Sequence, residues 1–248
     1  MIEKFLENYK SLIKNSELER FEIKKSGFNS LISKFKELNT EYLEEEKKTA
    51  TNFNIFKIIK LKNFERLEVI THSPILANFL NPNGTHFQKE LFYKRFIIEI
   101  SEILDINPEK YLLNDYSQLY VELEKHTIYG NIDILISNYY ENNKFAICIE
   151  NKIGAEDQPK QLERYYEYLV NSPFKDNFIL IYLTTSGYYP SEYSINTDLR
   201  VQLENKNKFL RLSHRKSIYN VLNAALNDIQ SENVKSIVFQ YINIIKNL

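Results

Sequence analysis

The chain has 248 residues, 43% hydrophobic and 14% aromatic, with a formal net charge of −1. That is enough apolar material for one large domain, or a domain plus an extension, and the charge balance argues against a uniformly basic nucleic-acid binder. Five glycines and one cysteine exclude a disulfide scaffold, and no apolar run approaches the roughly 18 residues of a membrane span or forms a signal peptide, so a soluble cytoplasmic protein without a membrane partner is expected.

Residues 2 to 14 place Phe5, Leu6, Tyr9, Leu12 and Ile13 at helical spacing, and residues 28 to 47 repeat the pattern with Leu31, Ile32, Phe35, Leu38 and Tyr42. With Ser26-Gly27 between them they predict a helical hairpin, an N-terminal extension over residues 1–50 ahead of a main domain over 51–248. This extension is the surface expected to hold a second copy of the chain or another partner. Ser73-Pro74 reads as an N-cap followed by proline at the first helical position, opening a short helix that Asn81-Pro-Asn-Gly84 ends. Residues 86 to 104 are expected to form the next helix, and the alternation of residues 120 to 125 the first strand. Glu122 and Glu124 are read there as exposed strand acids.

Two strands then carry charge where a core strand should not. Asn131-Ile-Asp133-Ile-Leu-Ile-Ser137 holds one acid among branched apolar residues, and Phe145-Ala-Ile-Cys-Ile-Glu150-Asn-Lys152 ends on a carboxylate and an ammonium two apart. Side chains two apart on a strand share a face. The polar, Asn-rich segment 138–144 joins the strands as a hairpin loop. With the turn centred on Glu141 and Asn142, Asp133 lies across from Glu150, their Cβ atoms roughly 4.5–5.5 Å apart. Two like charges so close call for a divalent cation, and all-oxygen ligation suits Mg²⁺ or Mn²⁺. The alternative is an ordinary solvated ion-pair cluster at a sheet end. Cys148, on the same strand and without a partner cysteine, is expected to pack in the core.

Beyond this hairpin a helix is expected around residues 158–169, followed by Phe178-Ile-Leu-Ile-Tyr-Leu-Thr-Thr185 as a strand buried on both faces. The helix between the two makes the connection a crossover and the sheet a mixed one. Phe209–Leu212 is expected as a last short strand, with helices over about 214–228 and 231–247. Basic stretches at Lys57–Lys62 with Arg66, and at Lys206–Lys216, are candidate nucleic-acid contacts or solvated faces.

An acid on one strand followed by E-x-K on the next resembles the core motif of the PD-(D/E)XK nuclease superfamily. The match continues in Gln161-x-x-x-Tyr165, similar to an element of the exonuclease branch, and in Glu68-Val-Ile-Thr-His72-Ser73, similar to the first motif of a largely uncharacterised bacterial branch. The residue before the acid is Ile132 in place of the eponymous proline. Glu65 is an alternative to Glu68 as the first-motif acid. The resemblance implies a restriction-endonuclease-like α/β core, a central mixed sheet flanked by helices, and Mg²⁺- or Mn²⁺-dependent phosphodiester hydrolysis, with DNA as the expected partner. It implies that Asp133, Glu150 and the Ile149 carbonyl hold the metal and that Lys152 orients water or neutralises charge. Glu68 would assist, Gln161 would orient Lys152 or a phosphate, and Tyr165, His72 and Ser73 would support the site or contact substrate. The alternative function is a catalytically silent nucleic-acid-binding or partner-binding protein on the same fold.

Overall fold

The computed structural model describes residues 2–50, 53, 71–140 and 143–248. They divide into two compact units, residues 1–46 and 47–248. The first unit is one helix, α1 (Ile2–Thr49), whose last turn belongs to the second unit. The expected helical hairpin is therefore not formed, and Gly27 lies inside the continuous helix. A glycine costs about 1 kcal/mol in a helix interior, too little to break a run of Glu, Lys and Leu, which lose little side-chain freedom in a helix. Glu65, Glu68 and the basic stretch 57–66 lie outside the described residues. Among the described residues no helix is long and apolar enough to cross a membrane.

The second unit is built on a five-stranded mixed sheet in the order β1 (Leu119–Thr127), β2 (Gly130–Asn138), β3 (Phe145–Lys152), β4 (Phe178–Thr184) and β5 (Phe209–Ser213). The pairs β1–β2 and β2–β3 are antiparallel, whereas β3–β4 and β4–β5 are parallel. Parallel neighbours need crossovers, supplied by α4 (Gln161–Val170) and α5 (Thr197–Asn205). The carboxyl ends of β3, β4 and β5 consequently gather at one edge, where open α/β sheets place their sites.

All eight residues of β3 are buried, so both of its faces are covered. One face, with Ile147 and Ile149, packs with Ile134, Ile181 and Leu183 against α2 (Ser73–Leu80), α3 (Leu91–Leu104), α6 (Tyr219–Ala225) and α7 (Glu232–Ile245). The other face, with Ala146 and Cys148, packs with Leu180 and Tyr182 under Leu162, Tyr165 and Leu169 of α4 and Leu203 of α5. Each aliphatic side chain so enclosed contributes roughly 1.5–3 kcal/mol of transfer free energy. The mixed sheet flanked by helices is the expected fold.

Two helix starts differ from expectation. Residues 71 and 72 already form a π-helical turn ahead of α2, so Ser73 is not its N-cap. The helix expected from residue 86 begins only at Leu91, because Phe87 and Lys89 adopt left-handed conformations, at φ 55° and 52°. The intervening turn is fixed by His86, which is fully buried. Its Nε2 donates to the Asn81 carbonyl at 3.0 Å, and its Nδ1 accepts the Gln88 N–H at 3.0 Å. A side chain at Gly84 would meet the Asn78 carbonyl at 2.6 Å, so only glycine fits under the ring.

Both ring nitrogens are used by the neutral tautomer alone, and burial lowers the His86 pKa from 6.5 to about 4. Between those values the unfolded chain binds a proton that the folded chain refuses, so this stability is complete above pH 6.5 and lost as the pH falls toward 4. Urea unfolding across that window is expected to show a loss on the order of 3 kcal/mol attributable to His86. The His86→Gln variant, less stable at pH 7, is expected to show a correspondingly flatter pH dependence; an unchanged slope would refute this role for the ring.

Candidate active site

The β2–β3 ladder pairs Ile134 with Ile149 and Leu135 with Cys148. This is the register read from the sequence; the paired residues end at Ile134 and Ile149, and just beyond them the Asn151 N–H reaches Asp133 and the charge of Glu150 acts on the Asp133 carboxyl. Glu150 and Lys152 share the face covered by α4, and Lys152 Nζ lies 2.8 Å from Glu150 Oε1 with both side chains at most 5% exposed. Removing two charges from water costs several kcal/mol each, which one close ion pair offsets only partly. Asp133 sharpens the conflict. Burial and then the charge of Glu150 push its carboxyl well above the usual range, opposed by the Asn151 N–H donated to Asp133 Oδ2 at 2.7 Å.

The row extends across the whole sheet. Leu123 pairs with Ile134 and Lys125 with Ile132, which sets Glu124 beside Asp133, and the charge of Glu124 raises the Asp133 pKa further. Glu124 has φ 51° and is half-buried, not the exposed strand acid expected. On the other side Glu150 pairs with Tyr182 and Tyr182 with Arg211. One cross-strand line therefore reads Glu124, Asp133, Glu150, Tyr182, Arg211.

The reverse face holds a buried polar clamp. Asn151, between Glu150 and Lys152, points away from them, donating from Nδ2 to Ser73 Oγ at 2.9 Å and accepting on Oδ1 from His214 Nε2 at 2.8 Å. Ser73 and His214 have no exposed surface. Burial, then the neighbouring His72, lowers the His214 pKa to about 3, so the ring is neutral and carries its one proton on the Nε2 that donates to Asn151. His72 Nδ1 and the Tyr241 hydroxyl are 3.0 Å apart, and the His72 ring meets His214 edge-on. Ser73 and His72 thus stand behind the catalytic strand rather than on its carboxylate face. Sequence reasoning missed Asn151 and His214, 63 residues apart; the polar x of E-x-K in a fully buried strand was the available signal.

Gln161 opens α4 and donates from Nε2 to the Tyr165 hydroxyl at 3.2 Å, while its Oε1 accepts the Gln158 N–H at 3.4 Å. The Tyr165 hydroxyl donates to the Asn131 carbonyl two residues before Asp133. Burial, then the charges of Glu150 and Asp133, push this phenol far up, so it stays neutral beside the carboxylates. Gln161 accordingly braces Tyr165 and the loop, and its described hydrogen bonds do not include Lys152. Cys148 is buried in the core, where burial raises its thiol pKa.

Among the described residues no three side chains from His, Cys, Asp and Glu gather closely enough to hold a metal ion alone. Two opposed carboxylates nevertheless fit Mg²⁺ or Mn²⁺, which take their remaining positions from carbonyl, water and phosphate oxygens. A bound cation would also relieve the electrostatic conflict between Asp133 and Glu150.

Comparison with known proteins bears on the same stretch. Residues 53–243 match the family model described as the PD-(D/E)XK nuclease superfamily. A histidine–tRNA ligase from Blochmanniella floridana is 24% identical in an alignment 194 positions long that covers 72% of this chain and 41% of that protein. The chain thus spans less than half the length of this curated relative. The crystal structure of a repair endonuclease from Pyrococcus abyssi is 17% identical, covers 46% of this chain and 45% of its own, and superposes with a TM-score of 0.25. That superposition is too loose to argue from.

The clamp is separable by mutation. His214→Leu leaves the Asn151 carbonyl buried without its donor, and a loss of about 1–3 kcal/mol in urea unfolding is expected. His214→Gln offers an N–H at nearly the place of Nε2 and is expected to recover most of it. Equal losses in both variants would show that ring packing, not the hydrogen bond, is what matters.

Proposed function

This chain belongs to the PD-(D/E)XK nuclease superfamily, and from that premise we propose that it is a metal-dependent deoxyribonuclease acting in defence against foreign DNA or in DNA repair. The observation that carries the reading is Asp133 close enough to Glu150 for that charge to raise its pKa, with Lys152 Nζ 2.8 Å from the Glu150 carboxylate.

Asp133, Glu150 and the Ile149 carbonyl are the groups that would hold Mg²⁺ or Mn²⁺. A cation bound there would supply polarisation of a phosphate and a more acidic bound water. Lys152 begins paired to Glu150. Its ammonium would orient the attacking water or neutralise charge growing on the phosphorane, as preorganised electrostatics does best. Asn151 keeps its N–H on Asp133, and its side chain, held by Ser73 and His214, fixes the peptide that carries it. Tyr165 and Gln161 brace the start of β2 and the following loop, and Glu68 is assigned an assisting role at the metal. Intact Asp133, Glu150 and Lys152 favour turnover over silent binding, and a cytoplasmic setting suits the lone free thiol.

Residues 1–46 support a separate role in pairing. Phe21, Phe28, Phe35 and Tyr42 recur every seven residues and are 49–68% exposed, the spacing of a coiled-coil seam. Phe28→Glu with Phe35→Glu is expected to lower the mass of the assembly in sedimentation; an unchanged mass would remove this helix as the pairing element.

Purified protein is expected to degrade DNA with Mg²⁺ or Mn²⁺ and to stop in a chelator. Asp133→Asn should abolish cleavage and weaken Mn²⁺ binding measured by calorimetry, while Lys152→Ala should lower the rate roughly 10²-fold or more with metal binding retained. Cleavage at the wild-type rate in both variants would sink the nuclease reading.

A further inference from the structure

The loop after β4 is fastened unusually firmly for a surface segment that displays three tyrosines. It leaves the sheet at Thr184, paired with Lys152 and Ser213, and so starts at the same sheet edge as the end of β3 that carries Glu150 and Lys152. Thr184 Oγ1 accepts the Gly187 N–H at 2.8 Å, and Gly187 takes φ 82°, a turn that favours glycine. Asp157, in the loop that follows Lys152, accepts from the Tyr182 hydroxyl at 2.8 Å and from both the N–H and the hydroxyl of Ser191 at 2.7 Å. Arg211 donates to the Gly187 carbonyl at 2.6 Å and lays its guanidinium 3.4 Å from the centre of the Tyr189 ring. Arg200 lies 4.4 Å from the same ring while its charge is paired with Glu204.

Despite this fastening, Tyr188, Tyr189 and Tyr193 remain 46%, 52% and 60% exposed. Tyr188 rests edge-on against Tyr182 at 6.1 Å, and the Tyr193 carbonyl accepts the Lys160 N–H just ahead of Gln161. Tyr182 and Arg211 are the two residues next to Glu150 on the cross-strand line. Strands are spaced by about 4.8 Å, so these supports stand roughly 5 and 10 Å from Glu150, about one nucleotide from a phosphate held at the carboxylates. Charge at this rim is mixed, with Lys160 and Arg215 exposed alongside Glu156 and Glu192. What the rim offers is rigid aromatic surface.

Resting on the nuclease reading above, we propose that Tyr188 and Tyr193, braced by Tyr182, Asp157 and the Arg211–Tyr189 stack, form a stacking platform for unpaired bases of single-stranded DNA entering the site. Bases in a duplex stack on each other and offer no face to a tyrosine, whereas every unpaired base does. A tyrosine has only two side-chain torsions to fix, so these rings lose little conformational freedom on binding, which favours stacking as the source of affinity.

The test is fluorescence anisotropy of a labelled oligonucleotide, single-stranded or annealed to its complement, with the full chain in chelator so that no cleavage intervenes. Tighter binding of the single strand is expected, with Tyr188→Ala and Tyr193→Ala each weakening it roughly tenfold and leaving duplex binding unchanged. Tyr→Phe at either position should restore it. Tyr140→Ala, an equally exposed tyrosine at the opposite end of the sheet, should change nothing. Equal affinity for both forms, or alanine variants that bind like wild type, would overturn the platform. A cleavage assay separates the two readings: cleavage with Mg²⁺ or Mn²⁺ that Asp133→Asn abolishes, with single-strand binding retained, supports both, while no cleavage by the wild-type chain removes the nuclease reading and leaves the anisotropy result to decide the platform.

Discussion

Everything in the second unit answers to one electrostatic constraint, the placement of Asp133 against Glu150 across two adjoining buried strands. Burial and the charge of Glu150 both oppose ionisation of Asp133, while Lys152 is paired with Glu150. Such a pair is tolerated because the sheet around it is over-determined: β3 is buried along its whole length, and apolar clusters on both faces lock its register. A slip of one residue would turn every side chain to the other face, sending Glu150 and Lys152 into the Ile-rich cluster and Ile149 toward α4.

The alternation that serves this face also organises the reverse one. Asn151 occupies the position between the two charges, and its side chain is the point where α2, through Ser73, and the start of the C-terminal helical segment, through His214, grip the catalytic strand. Its own N–H meets Asp133. The same residue therefore ties the core packing of one face to the carboxylate geometry of the other. Unpaired polar groups in a dry interior cost more than paired ones gain, so the clamp is most effective as a specification of position.

Legibility in the sequence followed the range of the interactions. Asp133, Glu150 and Lys152 could be placed because strand alternation and hairpin register are local, and the observed ladder has the register that the loop length implied. Gln161 and Tyr165 could be paired because i and i+4 meet on a helix. Glu124 was misjudged because its left-handed backbone departs from the ordinary strand conformation on which the exposed reading relied. The contacts of Asn151 with Ser73 and His214 span 78 and 63 residues, and no local pattern encodes them. At α1 the error was of energy: Ser26-Gly27 looked like a break, yet a glycine penalty of about 1 kcal/mol is small against continuous helical propensity on both sides.

The mixed character of the sheet divides the labour between conserving a site and varying what enters it. Because β2 runs antiparallel to β3, its amino end delivers Asp133 to the place where the carboxyl end of β3 delivers Glu150 and Lys152. Because β4 and β5 run parallel to β3, their carboxyl ends deliver loops to the same edge. The charged residues sit inside the sheet, where a change of register or volume is felt by both cores. The tyrosines sit on a loop tied to the sheet through Tyr182, Asp157 and Arg211 and anchored to the core by Ser194 and Ile195, while their own rings stay exposed. In the proposed reading, substitution at the exposed rings is cheap for folding and would act on recognition, whereas substitution at Asn151 disturbs the packing behind β3. A fold wired this way would let the bound strand change without disturbing the groups proposed to cut it.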